Sequence, residues 1–215
     1  MALHEAAQEL WVLDHHRSAQ EELAGLDYAT FDMEKSGALL TWQALSDQPA
    51  PQLVNYVSDN DLWRHELPYS REISAYLKHQ TKTFARWDEL AHLMEGPLTE
   101  LVVAGKSILD YCRHTAQELA EKAVEWVLAD HTVLTTNVPS MLANDVCEVL
   151  YETYPGPVAA YEVLGDLVKF SLRSCGEVAV HQLAQSLGGG GHPHSAGFTI
   201  PISQVDWIHR TVAAR

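Results

Sequence analysis

The sequence predicts a two-part α/β protein: an α/β front lobe, a long helical connector and a small rear α+β lobe with a mixed sheet. Three observations carry this prediction. A short apolar run, Trp11-Val12-Leu13, stops abruptly at Asp14-His15-His16, as a buried strand does where an open α/β sheet ends. Residues 70–122 keep a helical pattern whose one obvious break is Gly96-Pro97. Beyond about residue 123 the pattern shortens to strand-like runs separated by turn residues. The corresponding boundaries are 1–97 for the front lobe, 98–123 for the connector and 124–215 for the rear lobe.

Composition bounds the functional classes. The 215 residues are 47% hydrophobic and 20% charged, an ordinary globular balance with enough apolar side chain for a core. No apolar run approaches the roughly 18 residues of a membrane span, and Met1 to Glu5 lack the basic start of a secretory signal, so a cytoplasmic protein is expected. Cys112, Cys147 and Cys175 are odd in number and widely spaced, which suggests reduced, buried thiols and neither a disulfide framework nor a structural zinc site. With 29 acidic residues against 14 Lys and Arg, the net charge of −15 argues against a broad basic face for duplex nucleic acid. Small anions in a focused pocket remain compatible with it.

In chain order, residues 2–10 have helical spacing and lead into the Trp11–Leu13 strand. Asp32 is placed to cap a helix that carries Leu39, Leu40 and Trp42 inward, and the small Ser36-Gly37-Ala38 lets it pack closely on the preceding loop. After Pro49-Ala50-Pro51, an apolar stretch from Leu53 to Val57 leads into Ser58-Asp59-Asn60-Asp61-Leu62-Trp63. Asp59 and Asp61 alternate, so one of them faces any given site. Leu98 to Lys122 reads as one long helix. Its Gly105-Lys106-Ser107 resembles the end of a phosphate-binding loop but has Glu100 where the first glycine belongs and no strand before it.

The rear lobe reads as strands over Val124–Leu128 and Thr132–Thr136, a helix over Met141–Leu150, a hairpin of Val158–Leu164 and Leu167–Leu172 turning at Gly165-Asp166, a helix over Glu177–Leu187, a strand over Ala196–Ile200 and a last helix from Ser203. Between the Glu177–Leu187 helix and the Ala196–Ile200 strand lies Gly188-Gly189-Gly190-Gly191-His192-Pro193-His194. Four glycines permit positive φ and close approach to a ligand, and a turn of this kind can aim several N–H groups at one phosphate. A flexible linker is the simpler reading of a glycine run. An apolar strand resumes at once, however, so the loop is anchored at both ends.

These landmarks in this order resemble the DHH phosphoesterase superfamily with its associated C-terminal domain. The residues that carry the resemblance are Val12 to His16, Ser36-Gly37-Ala38, Tyr56 to Trp63 with Leu67-Pro68 and Ser70-Arg71-Glu72, Ser171 to Ser174, and Gly188 to Phe198. The resemblance implies a two-lobed, metal-dependent hydrolase that acts on phosphoester or phosphoanhydride bonds through a two-cation site in the cleft between lobes. Manganese is the expected metal and magnesium the alternative. The implied substrate is a nucleotide, a cyclic dinucleotide or a short single-stranded oligonucleotide. Asp14, His15 and His16 match the catalytic motif, with His15 as metal ligand and His16 near the scissile phosphate. Asp59 is the implied acidic metal ligand, ahead of Asp61. Arg173, Gly188, Gly189, Gly190, Gly191 and His192 match the part that holds the substrate.

One departure stands out. Family members carry further aspartate-bearing strands before this motif, whereas here 13 residues precede Asp14 and none is Asp. The metal ligand set looks incomplete, so the chain reads as an N-terminally truncated form, with a homodimer contact or a partner chain expected over the missing strands and no membrane involved. A catalytically silent nucleotide- or phosphate-binding module is the alternative function.

Overall fold

Val12–Asp14 forms β1, which pairs in parallel with β2 (Ala29–Phe31) so that Asp14 lies opposite Phe31. The helix α1 (Arg17–Glu22) makes the crossover between them. The computed structural model describes residues 6–176 and 178–207, which fall into two units, Met1–Leu109 and Asp110–Arg215. The helical spacing read over residues 2–10 lies largely outside the described residues; Ala6 is helical, and Gln8 and Glu9 form a bend.

The rest of the front unit is helical: α2 (Gly37–Leu45), α3 (Gln52–Asp61), α4 (Ser70–Lys78), α5 (Phe84–Met94) and the first half of α6 (Thr99–Ala120). Its core gathers Leu53 and Tyr56 from α3, Ile73 and Leu77 from α4, Leu90 and Met94 from α5 and Leu101 from α6. Two expectations change here. Ser36, not Asp32, caps α2, its Oγ accepting from the Leu39 amide at 3.2 Å, while Asp32 closes a turn by accepting from the Glu34 amide at 2.9 Å. The stretch 79–83 breaks what read as one helical run, because Thr83 Oγ1 accepts from the Arg86 amide at 3.3 Å and starts α5 afresh.

Gly105 has a packing reason. A β-carbon there would stand 1.9 Å from the Glu72 carbonyl oxygen, so α6 can cross α4 this closely only with glycine at that position.

The rear unit is built on a six-stranded sheet of order β3-β4-β5-β6-β8-β7: β3 (Val124–Leu128), β4 (His131–Asn137), β5 (Val158–Leu164), β6 (Leu167–Arg173), β7 (Gly190–His192) and β8 (Ser195–Pro201). β4 and β5 are parallel and the other neighbours antiparallel, which makes the sheet mixed, as expected. Gly165, at φ +61°, turns the β5–β6 hairpin. The helix α8 (Val180–Ser186) buries Val180, Leu183 and Ala184 against Phe170, Leu172, Ala196 and Phe198 on one face. On the other face, α7 (Ala143–Tyr151) and the end of α6 cover Val158 and Ala160 of β5 with Val146, Cys147, Leu150 and Ala116. The chain after β8 forms a 3-10 helix over Ile202–Trp207 rather than the start of an α-helix.

Of the three cysteines, Cys147 is buried, Cys112 half-buried and Cys175 exposed, so the expectation of buried thiols holds for one of them. Among the described residues no helix is long and apolar enough to cross a membrane.

Gly105→Ala is expected to destabilise the front unit by about 1–3 kcal/mol through overpacking, outweighing the roughly 1 kcal/mol that alanine gains over glycine within a helix. Urea unfolding monitored in the front unit measures this, and an unchanged midpoint would contradict the close helix crossing.

Candidate functional site

Asp14 is the last residue of β1, and its carboxylate turns back onto the chain that follows. Oδ1 accepts from the His15 amide at 2.7 Å and the His16 amide at 3.2 Å, and it lies 2.7 Å from His16 Nδ1. Burial works against the charged carboxylate, but the hydrogen bonds from the His16 ring and from the two amides outweigh it and hold the Asp14 carboxyl below its usual range. A carboxylate can only accept, so His16 Nδ1 carries the proton and Nε2 is left with its lone pair. This is the carboxylate–histidine pairing that orients imidazole ligands in metal sites.

The His15 ring stands edge-on to the His16 ring, with centroids 4.5 Å apart. Its side chain is 12% exposed against 53% for His16, and its Nε2 lies 3.5 Å from Asp61 Oδ2. One ligand atom from each of Asp14, His15 and His16 falls within 4.8 Å of the others. The neighbouring elements pack tightly around this strand end. A β-carbon at Gly37 would stand 4.0 Å from the Leu13 carbonyl oxygen, and the Ser36 amide donates to Ser58 Oγ of α3 at 3.4 Å. Ser36-Gly37-Ala38 therefore allows close packing, as its small side chains suggest, and it tethers α2 to α3.

The two acidic candidates on α3 part company. Both lie on the last turn of a helix, where residues two apart point in nearly opposite directions, so only one faces His15. That one is Asp61. Asp59, 7% exposed, accepts instead from the Glu66 amide at 3.0 Å, the Leu67 amide at 3.4 Å and the Ser70 hydroxyl. Burial opposes its charge, but the Ser70 hydroxyl, the two amides and nearby His65 together keep its carboxyl low. Its oxygens are already engaged in fastening the loop between α3 and α4. That loop needs fastening, because Trp63, His65 and Tyr69 all hold positive φ without being glycine. Of the two, Asp59, expected as the metal ligand, is engaged by these three donors, and Asp61 is the one that lies beside His15.

In the rear unit, Arg173 and the glycine stretch line one groove of about 560 Å³. Gly188, Gly189, Gly190 and Gly191 form one side of it, and Lys169, Ser171, Arg173, Ser195, Gly197 and Thr199 contribute from β6 and β8. Arg173 is held by the Asn144 side-chain oxygen at 2.7 Å and the Leu172 carbonyl at 2.8 Å. The glycines divide by task. Gly188 at φ +80° and the Gly188 and Gly189 amides close the end of α8, donating to Gln185 and Ala184 carbonyls at 3.1 and 2.8 Å. These two amides are thus not aimed at a ligand, which corrects the expectation of a nest built from the whole run. A β-carbon at Gly189 would stand 2.1 Å from the Gly197 carbonyl oxygen, and one at Gly191, where φ is +141°, would stand 2.6 Å from Ala196 Cα. At Gly190 it would meet nothing within 4 Å.

His192 lies on β7 and is exposed, outside the groove lining. His194 lies 3.0 Å, through Nδ1, from the Ser174 hydroxyl, which also donates to the Val178 carbonyl at 2.6 Å. Its role is thereby to fasten the turn. Burial pushes the Cys147 thiol up to about 12, so no thiolate nucleophile arises beside Arg173. Lys169 and Thr199 escaped the sequence reading, and Ser171 entered it only among the residues that carry the resemblance. The available signal was the period of two in Lys169-Phe170-Ser171-Leu172-Arg173, which puts the three polar residues on one face of β6.

Residues 123–215 match the DHHA1 domain. The match takes in the rear part of the chain, and Asp14-His15-His16 lies ahead of it. Uncharacterized protein R106 of Acanthamoeba polyphaga mimivirus is 28% identical over 214 residues, an alignment that takes in 91% of this chain and 50% of the relative. The chain thus spans about half the length of that curated relative. Solved structures similar to it include a pGpG-specific phosphodiesterase, PggH, from Vibrio cholerae, with a TM-score of 0.49 and 10% identity over 91% of this chain and 75% of that one. An exopolyphosphatase-related protein from Bacteroides fragilis has a TM-score of 0.42 and 9% identity over 80% of this chain and 54% of that one. Likenesses of this extent carry no argument about chemistry.

Two outcomes test the site's scaffolding. Gly189→Ala is expected to lower thermal stability of the rear unit, while Gly190→Ala leaves it unchanged; equal effects would contradict the division of tasks. Asp59→Asn is expected to cost about 1–3 kcal/mol, because it replaces a charged acceptor with an amide that cannot satisfy all three donors. Since the folded Asp59 lies below its ordinary 3.8, its stabilisation is complete above that value and lost as pH falls through the folded one. The variant should therefore lose stability less steeply on acidification than the parent, as denaturation at a series of pH values would show.

Proposed function

We propose that this chain is a metal-dependent phosphoesterase that hydrolyses a phosphoester or phosphoanhydride bond in a nucleotide or short single-stranded oligonucleotide. The observation that supports it above all others is the strand end at which Asp14, His15 and His16 bring ligand atoms within 4.8 Å of one another, with Asp61 beside His15. The resemblance of the Asp14-His15-His16 motif to the DHH phosphoesterases and the DHHA1 match over residues 123–215 support the same class of reaction. Because the chain spans about half of its curated relative, the activity of the whole protein is part of the proposal.

The residues fit a divalent cation. Two donors that share one cation at about 2.0–2.2 Å each stand roughly 3–3.5 Å apart, and His15 Nε2 and Asp61 Oδ2 are 3.5 Å apart. Imidazole and carboxylate together suit manganese, with magnesium the weaker match to the nitrogen donor. Bound there, the cation supplies a water of lowered pKa and neutralises charge on the phosphoryl oxygens. The family resemblance implies two cations; the described residues group donors for one, so a second would need donors beyond these four.

The protein's own groups divide the remaining work. Asp14 fixes the His16 ring through Nδ1, so that in the neutral ring Nε2 is the atom that would take a proton from the attacking water and, once protonated, would donate to a phosphoryl oxygen. The Asp14 carboxylate stays charged throughout the neutral range, which stabilises the protonated ring when it forms. In the rear unit, Arg173 is already oriented by Asn144, so its guanidinium meets a phosphate with little side-chain entropy to lose. The space beside Gly190 leaves room for the ligand close to the backbone. Cyclic dinucleotides fit the same chemistry.

The alternative is a silent binding module that uses the Arg173 groove alone. His15→Ala and Asp61→Asn separate the two. Each is expected to reduce manganese-dependent hydrolysis of a fluorescent tetranucleotide by roughly 100-fold while nucleotide affinity measured without metal stays within twofold. Asp59→Asn should leave the manganese dependence of the folded protein unchanged. Hydrolysis unaffected by His15→Ala would overturn the assignment, and binding without any hydrolysis by the parent chain would favour the silent module.

A further inference from the structure

Helix α3 ends just past Asp61 in a turn that suits glycine and carries tryptophan. Leu62 closes the helix, the Trp63 amide donates to the Asn60 carbonyl at 3.0 Å, and the Arg64 amide donates to the Asp59 carbonyl at 2.9 Å. This pair of bonds defines a common helix end in which the first residue past the cap is left-handed and is usually glycine. Trp63 holds that position at φ +55°. The same conformation recurs nearby, at His65 with φ +51° and at Tyr69 with φ +59°. Three ring-bearing residues within 63–69 thus occupy backbone conformations that favour glycine.

A single exposed tryptophan on an ordinary surface would mean little. Here the local backbone works against the ring, and the loop around it is braced. Asp59 accepts from the Glu66 and Leu67 amides and the Ser70 hydroxyl, and the Tyr56 hydroxyl donates to the Pro68 carbonyl at 2.9 Å. Arg64 donates to the Glu34 carbonyl at 3.1 Å and to the Glu34 carboxylate at 2.6 Å. Held in this way, Trp63 stays 50% exposed, and its ring meets the His65 ring at a centroid distance of 4.8 Å and an interplanar angle of 63°. A ring that serves packing is buried; one kept open against its backbone preference points to a ligand. Its neighbour indicates which ligand. Trp63 follows Asp61 by two residues, so their α-carbons stand at most about 7 Å apart, and Asp61 Oδ2 lies 3.5 Å from His15 Nε2. A flat apolar ring next to a site for a cation and a phosphate suits a base joined to that phosphate through one sugar.

We infer that Trp63 is a nucleobase-stacking residue of the front unit, and that it makes the site there select nucleotides over phosphoesters that lack a base. The inference rests on the proposed site at His15 and Asp61 and names what that site reads besides phosphate. An indole offers the same π face to every base, so it confers preference for a base without preference among bases. His65, whose ring lies against the indole, backs it on one side. Glycine at position 63 would suit the turn better and has no ring to offer. One substitution therefore separates what the backbone favours from what the ligand requires.

The test uses the full chain in manganese and two probes that differ only in the base, adenosine 5′-monophosphate and ribose 5-phosphate, with affinities read by calorimetry. The unaltered chain should bind the nucleotide more tightly. Trp63→Gly should weaken the nucleotide about tenfold and leave ribose 5-phosphate within about twofold. Its unfolding temperature should be no lower than the parent's, because glycine fits the left-handed turn. Trp63→Phe should keep most of the preference. The nucleotide should also quench tryptophan fluorescence in the parent, and the loss of that quench in Trp63→Phe assigns it among the six tryptophans. Equal effects of Trp63→Gly on both probes, or none on either, would overturn the inference while leaving hydrolysis that depends on His15 intact. A preference lost only in step with a large fall in unfolding temperature would assign Trp63 to the fold and overturn it as well. Conversely, hydrolysis indifferent to His15→Ala, with the preference still lost in Trp63→Gly, would sink the phosphoesterase reading and leave the stacking residue in place.

Discussion

The geometry of the front unit depends on one carboxylate. Asp14 ends β1 and, by accepting from its two successor amides and the His16 ring, fixes the direction in which the chain leaves the strand. Those bonds partner the His15 and His16 amides just before α1 and orient the His16 ring. The adjacent histidine rings meet edge-on, with centroids 4.5 Å apart: His16 is pinned and exposed, while His15 is sheltered and its Nε2 lies 3.5 Å from Asp61. The same three hydrogen bonds keep Asp14 charged. One interaction therefore sets strand termination, ring orientation and local electrostatics together.

Close backbone approach plays the corresponding role in the rear unit. The pairing of β7 with β8 brings Gly189 against Gly197 and Gly191 against Ser195 and Ala196 at distances that exclude side chains. Three of the four consecutive glycines thus serve chain geometry, two by contact and Gly188 by its left-handed φ where α8 ends. Gly190 is the one of the four with neither a close contact nor a left-handed φ. A run that looks uniform is a set of different constraints, and a substitution scan across it should be read position by position.

Much of this was legible in the sequence. Helix α6, the β5–β6 hairpin and strand β8 follow from long periodic runs and a glycine turn, where local propensity and tertiary structure agree. The break before α5 was missed because a single capping hydroxyl, Thr83, interrupts a pattern that remains amphipathic on both sides. Asp59 and Asp61 could not be ranked by spacing, since both readings of the segment, strand or helix, separate them; only the loop carrying Glu66, Leu67 and Ser70 shows that Asp59 is already satisfied. The face of Lys169, Ser171 and Arg173 was within reach of a period-two reading, but which face is left bare depends on where α7 stops, a tertiary fact.

The central claim is that the strand end at Asp14 to His16, with Asp61, holds a divalent cation through His15. Pulsed EPR of manganese added to the chain tests it most directly. The account predicts hyperfine coupling from an imidazole nitrogen that disappears in His15→Ala. A spectrum of manganese coordinated by oxygen alone, identical in the parent and in that variant, would contradict it.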